Sequence, residues 1–316
     1  MKSELHPTRL NVVIPCHNCG DYIGECLDSL KAQTFTDWTA LIANDCSNDH
    51  TIETAKAYLD DPRITLRNGS ERQWLMGNTV AALRSLDIKP NHVIAILDGD
   101  DWLHPTCLEK IWEQHCQGFD LVYTNDDIQG QGHTIGRPFI RSAAARTQAW
   151  GFSHIRSFKG YLFNQLADEN FRDQEGMYFR AAGDLSLYIP MAELAGPDKI
   201  QFIDEPLYHY RIHEKCNFKV MRDEQLRNNW DIRSRPPLFR QTTHFDFIQT
   251  ITDLEKSDIA AAAREARKRY PLPYSVNVLH RIKQDQIDSW RPYHDLWIEE
   301  GVYFSCEIVS NGEAES

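Results

Sequence analysis

The sequence predicts an α/β fold: a mostly parallel sheet flanked by helices, followed by a helical extension. Three observations carry this. Short apolar runs alternate with segments of helical periodicity over the first 125 residues or so, the pattern of a parallel sheet with right-handed crossovers. The run Val93 to Leu97 is continuously apolar and partly β-branched, as a strand buried on both faces should be. It ends directly in Asp98-Gly99-Asp100-Asp101, and the carboxyl ends of strands are where open α/β sheets bind ligands.

Taken in order, Leu10–Pro15 reads as the first strand, and Asp21–Thr34 as a helix with Tyr22, Ile23, Cys26, Leu27 and Leu30 at apolar helical spacing. Trp38–Ala43 is a second strand. It runs into Asn44-Asp45-Cys46-Ser47-Asn48-Asp49, and a helix starts near Asp49 to Thr51 with Ser47, Asn48 or Asp49 as its cap. Ile64–Leu66 is a short strand, Trp74–Leu86 a helix, Pro105–Cys116 another with proline near its start, and Phe119–Thr124 a strand. Gly130, Gly132 and Gly136 mark an irregular loop, followed by a polar, basic stretch, His154 to Lys159. Asp184–Ala195 reads as a helix kinked at Pro190 and closed by Gly196-Pro197. Ile200–Ile203 and Pro206–Tyr210 read as two short strands. Beyond about Asn217 charged helical segments are expected, Ile251–Arg269 above all, with its basic residues on a solvated face, and the tail from Asn311 is expected to be disordered. The expected division is residues 1–215 and a mainly helical extension, 216–316, which packs on the first domain or forms a homo-oligomer.

Composition excludes several classes. With 34 Lys plus Arg against 46 Asp plus Glu, the net charge is −12, which disfavours nucleic acid or anionic lipid as the main partner. No apolar run approaches the roughly 20 residues that span a bilayer, and no signal peptide is read at the polar N-terminus. Eight cysteines without a framework pattern suggest reduced thiols and a cytoplasmic protein. Cys16-x-x-Cys19 could be a redox pair, but a pocket-lining loop with small fillers is the expectation. Gly-x-Gly-x-x-Gly and Gly-Lys-Ser/Thr are both absent after any strand.

What stands in their place is carboxylate: Asp45 at one strand end, Asp98 and Asp100 at another. Acids crowded this closely either form a solvated turn, with Asp101 capping the next helix, or share a divalent cation, for which oxygen ligands favour Mg2+ or Mn2+. A carboxylate such as Asp45 can accept a hydrogen bond from a nucleobase ring N–H, or it can cap a helix.

Val13-Ile14-Pro15-Cys16-His17-Asn18, Asn44 to Asp49, Gly77-Asn78 and Leu97 to Asp101, in that order and spacing, resemble the family 2 glycosyltransferases of GT-A fold. Asp184 to Gly196 and Leu207 to His213 extend the likeness to about residue 215. Asn44 and Gly183 depart from the acids usual at those places. The resemblance implies an inverting, metal-assisted transfer from a nucleotide-sugar, a UDP-sugar by expectation, to a glycan or glycolipid acceptor, with peripheral membrane contact possible. It assigns the nucleotide-sugar to Pro15, His17, Asn18, Asp45, Asn78, Asp98, Gly99, Arg156 and Lys159, with His154 beside them. It assigns the metal, Mn2+ or Mg2+, to Asp98, Asp100 and His213, and the general base to Asp184, with Asp173 and Glu175 as alternates. Each has a plainer reading: Asp184 a helix cap, His213 a structural histidine, the basic residues surface charge. A sugar-nucleotide nucleotidyltransferase and a non-catalytic sugar-nucleotide or glycan-binding module remain the rival functions.

Overall fold

A computed structural model describes residues 6–128, 135–141, 143–214, 217–238, 247–251, 254–269, 276–290, 296–299 and 302–308. The expectations for Gly130, Gly132 and the tail from Asn311 lie outside these residues.

The order of elements is β1 (Arg9–Cys16), α1 (Ile23–Lys31), β2 (Trp38–Asn44), α2 (Thr51–Lys56), β3 (Ile64–Asn68), α3 (Trp74–Ser85), β4 (His92–Ile96), β5 (Trp102–Leu103), α4 (Cys107–Cys116), β6 (Leu121–Ile128), β7 (Arg156–Lys159), α5 (Gly160–Asn164), α6 (Gly183–Ala195) and β8 (Ile200–Tyr210). These strands form one sheet in the order β3-β2-β1-β4-β7-β6-β8-β5. Its first half is parallel, with Val12 opposite both Ala40 and Ala95. The apolar runs are buried from end to end because helices cover both faces, and two apolar cores lie on either side of the sheet.

The structure corrects the sequence reading in three places. The basic residues around Arg156 are not surface charge: they stand on the buried strand β7, antiparallel to both β4 and β6. Its charges are tolerated because each has an acidic partner, Lys159 the buried Asp120 at 3.1 Å and Arg156 the half-buried Asp184 at 3.3 Å. The two short strands expected after Gly196 are one, β8, and its pairing with β6 slips at Pro206, where the proline lacks a ladder donor.

The third correction concerns the extension. Two helices, α7 (Asn217–Val220) and α8 (Arg222–Ser234), follow, and Ile232 and Leu238 pack into the first core, past the boundary expected at residue 215. Beyond them the described residues are not mainly helical. β9 (Phe247–Ile251), β10 (Val276–Ile282), β11 (Leu296–Glu299) and β12 (Val302–Ile308) form a four-stranded sheet, β11-β12-β10-β9, with α9 (Ile259–Arg269) between β9 and β10 in the chain. It has its own core, in which Ala263 and Ala266 of α9 meet Val276, Val278, Val302 and Phe304. The alanine-rich helix was legible, although it starts at Ile259 and not at Ile251, which ends β9; the strands, short and interrupted by polar residues, were not.

Candidate active site

The carboxyl ends of β1, β2 and β4 open onto a cleft of about 1190 Å³ lined by residues from both halves of the sheet. The chain turns sharply along this edge. Asn18, Cys46, Trp74 and Ala182 adopt left-handed backbone angles, φ 51°, 55°, 61° and 56°. Such conformations cost about 1–3 kcal/mol each and collect at functional sites. Asn18, Trp74 and Ala182 line the cleft, and Cys46 follows Asp45, which lines it too.

Asp45 leaves the end of β2 almost fully buried. It accepts the Gln73 N–H at 2.7 Å, and its carbonyl receives the His17 ring N–H at 2.7 Å. The turn after β1 is thereby fastened to the turn after β2. Asn18 adds to the seam by accepting the Asn48 N–H and donating its own N–H to the Ser47 hydroxyl. Asp49 bridges Gly20 and Thr51, so among the three expected caps it is the acid that receives the first amide of α2. Asn78 lines the cleft but is a clamp: its amide donates to the Ala43 carbonyl at 2.6 Å and accepts from Arg67.

The acidic turn is held to β1 beyond the last ladder pair, since the Gly99 N–H donates to the Pro15 carbonyl at 3.1 Å. Gly99 is required by proximity. A Cβ there would stand 2.7 Å from that of Cys16 and 3.2 Å from the Cys19 sulfur. The two cysteines therefore fill space beneath the turn, and both are free, buried thiols.

The four positions of the turn divide their tasks. Asp101 is structural: nearly buried, it accepts the Tyr208 hydroxyl at 2.6 Å and the Arg211 N–H at 2.7 Å. Asp100 faces the cleft, with the His213 Nε2 at 2.9 Å. Asp98 lies 3.5 Å from His154, which stacks on Tyr208. Burial first, and the Asp100 charge second, push the Asp98 carboxyl up to about 7. Burial and the neighbouring Arg156 push the His154 imidazole well below its ordinary value, so it stands neutral.

A divalent cation would relieve the same repulsion between the two acids, and the donor set fits one. Among the described residues no three His, Cys, Asp or Glu side chains stand at ligand spacing. The protein would thus supply Asp100 and His213, with Asp98 beside them, and leave positions to phosphate oxygens and water, as is usual for Mg2+ sites. An imidazole among the ligands tilts the preference from Mg2+ toward Mn2+.

Asp184 occupies the second position of α6, partly exposed to the cleft. The helix dipole favours an acid there. One carboxylate oxygen accepts the Leu185 N–H at 3.0 Å, and the other faces the Arg156 guanidinium at 3.3 Å. Asp173, by contrast, is used up in a turn, accepting the Glu175 and Met177 N–H groups, and neither Asp173 nor Glu175 lines the cleft.

Of the residues assigned from sequence, Pro15, His17, Asn18, Asp45, Asn78, Asp98, Gly99, Asp100, Arg156, Asp184 and His213 line one cleft. Lys159 does not. It is 2% exposed, paired with Asp120, and cannot reach a phosphate there. Sequence reasoning missed Tyr22, which stacks on His213 with ring centres 5.2 Å apart, and Arg211, whose guanidinium donates to the Asp100 carbonyl at 2.9 Å and pairs with Glu25. It also missed Arg72, Trp74 and Arg180 at the rim.

A sequence profile described as Glycosyl transferase family 2 matches residues 11–179, more than half of the 316 residues. The chain belongs to that family. An uncharacterized glycosyltransferase of Escherichia coli K12, YibD, is 34% identical over 121 residues, covering 38% of this chain and 34% of the relative. A chondroitin synthase of Escherichia coli is 28% identical over 231 residues, covering 71% and 32%. The chain thus spans about a third of the length of these two relatives. Staphylococcus aureus TarS 1–349 in complex with UDP-GlcNAc superposes with a TM-score of 0.52 at 18% identity, covering 66% of this chain and 60% of that one. A mannosyltransferase of Pyrobaculum calidifontis in complex with GDP-Man and Mn2+ gives 0.51 at 16%, covering 72% and 64%. At such identities the likeness is one of fold, and that fold is GT-A. No helix among the described residues is long and apolar enough to cross a membrane.

Proposed function

We propose that this protein transfers a sugar, with inversion, from a UDP-linked donor to a hydroxyl of a glycan or glycolipid acceptor, assisted by Mn2+ or Mg2+. One observation carries the reading: Asp45, Asp98, Asp100, His213 and Asp184, drawn from four separate parts of the chain, line a single cleft. The nucleotide-sugar complexes of TarS and of the Pyrobaculum mannosyltransferase support the same class of donor.

In this reading Asp45 accepts the ring N–H of the base, its other contacts already fixing its orientation. Pro15 and the fastened His17–Asn18 turn form the floor beneath the base. Asp98 faces the ribose. Asp100 and His213 would hold the metal, which when bound would offset charge on the departing diphosphate. Arg156 orients Asp184, and Asp184 takes the proton from the acceptor hydroxyl as that oxygen attacks the anomeric carbon. A carboxylate held between an N–H and a guanidinium, at the edge of a cleft, is built to stay in one place.

Thermal shifts with UDP, GDP, CDP and TDP, each with and without Mn2+, test the donor site. UDP is expected to stabilise most and only with metal, with Asp45→Ala removing the preference among bases and Asp100→Asn removing the metal dependence. Stabilisation by UDP that is indifferent to Mn2+ would remove the roles given to Asp100 and His213.

A further inference from the structure

Trp74 carries a guanidinium on each face. The Arg72 guanidinium carbon lies 3.7 Å from the ring centre and that of Arg180 3.8 Å. Two groups at those distances cannot share one face of a ring, so the indole is stacked between them. Their charges are then closer than the roughly 8 Å over which physiological salt screens.

Neither charge is well neutralised. Arg72 has no ion pair among the described residues, and Arg180 has only Glu224, at 3.9 Å. Arg180 keeps 45% of its side chain exposed. In a chain of net charge −12, one unpaired cation and one held only by a long ion pair share an indole among the residues that line the cleft. A stacked guanidinium keeps its N–H edges free, and those edges match carboxylate and phosphate oxygens in pairs. Both faces of the indole are taken, so the stack does not receive an apolar sugar face.

The stack reaches the Asp184 side of the cleft, while Gln73, between Arg72 and Trp74, gives its N–H to Asp45. A Cβ on Gly183 would meet that of Met76 at 2.9 Å, and one on Gly77 would meet the Tyr178 ring at 2.9 Å. The start of α3, which bears Trp74, is therefore packed directly against the segment that runs from Arg180 to Asp184. The ion pairing of Arg180 goes to Glu224, not to the Asp98–Asp100 turn.

We propose that Arg72 and Arg180, stacked on Trp74, bind an anionic group of the acceptor glycan, a carboxylate or a phosphate, so that acidic acceptors are preferred over neutral ones. This rests on the glycosyltransferase reading and names the acceptor class for the same cleft.

The test uses the whole chain and the variants Arg72→Gln and Arg180→Gln. Calorimetry first measures UDP with Mn2+. The nucleotide reading fails if the unmodified protein shows no binding, whatever the glycan result. Three probes of equal length are then titrated against the UDP–Mn2+ complex: an unsulfated glucuronate-containing tetrasaccharide, a glycerol phosphate tetramer and neutral chitotetraose. At least one acidic probe is expected to bind roughly tenfold or more tighter than the neutral one, and each glutamine variant is expected to forfeit roughly tenfold of that affinity. UDP–Mn2+ affinity should stay within about twofold, since the side chains altered do not touch Asp45, Asp98 or Asp100. Whichever acidic probe binds tells carboxylate from phosphate. Equal or undetectable binding of acidic and neutral probes, with UDP–Mn2+ binding intact, overturns the inference. So does a loss confined to UDP affinity in the variants.

Discussion

Replacing Arg146 by Met should unfold the protein far more easily, although Arg146 lies outside the cleft. Its guanidinium is 3% exposed and grips Glu193 of α6 through two parallel bonds, at 2.6 and 2.9 Å. The same guanidinium donates to the Ile232 carbonyl of α8, and Glu193 receives the Leu238 N–H at 2.8 Å. One ion pair thus ties α6, whose first turn bears Asp184, to α8 and the chain beyond it. Methionine keeps the apolar stem but strands a buried carboxylate. Removing one partner of a buried pair costs about 3–5 kcal/mol, whereas replacing both with apolar groups is often close to neutral. Denaturant unfolding of Arg146→Met should therefore show a loss of about 3–5 kcal/mol, or a midpoint lower by roughly 6–20 °C on heating. The double variant Arg146→Met/Glu193→Leu should recover most of that loss. A single variant that loses under about 1 kcal/mol, or a double variant whose losses simply add, would refute the reasoning, because coupled partners must show an interaction energy.

Asp184→Asn should fold normally and bind UDP with Mn2+ as before, while product formation falls by about 10²–10⁴-fold, the range for a lost general base. Turnover near the original rate would end the proposal. Lys159→Met should lower stability, because it leaves Asp120 without its ammonium partner, yet leave UDP–Mn2+ affinity unchanged in calorimetry. A lowered affinity would return Lys159 to the donor site. His115 gives a pH signature. Fully buried, it donates from Nδ1 to the Phe119 carbonyl, and its Nε2 accepts the Ser157 hydroxyl. Burial pushes its imidazole down to about 4. The unfolded chain then takes the proton first, so this contribution is whole above about pH 6.5 and is lost as pH falls towards 4, roughly 3 kcal/mol in all. Between pH 7 and 4.5 the stability of His115→Gln should fall less steeply than that of the unmodified protein, and parallel curves would contradict the assignment.

The acidic edge of the cleft was legible in the sequence because its signals are local. An apolar run that breaks into Asp98-Gly99-Asp100-Asp101 announces a strand and its binding end within ten residues. What was not legible depends on partners far away in the chain. Arg156 and Lys159 look like surface charge until Asp184 and Asp120 are found beside them, and only then can a strand so polar stand in the middle of a sheet. Tyr208 and Arg211 hold the Asp100–Asp101 turn from more than a hundred residues downstream. Arg72 and Arg180 share one indole without any spacing that could have joined them. In the extension, α9 was expected from its alanine and charge pattern, whereas β9 to β12 are held together by pairings across the sheet that no short window contains.

The central claim is that the cleft turns over a nucleotide-sugar, and release of the nucleotide measures this most directly. The unmodified protein would be incubated with a panel of UDP-sugars and Mn2+, and free UDP followed over time beside Asp100→Asn and Asp184→Asn. The account predicts slow UDP release from at least one sugar, even by hydrolysis, that needs the metal and is sharply reduced in both variants. Tight binding of UDP-sugars without release of UDP, or release of pyrophosphate in its place, would contradict it.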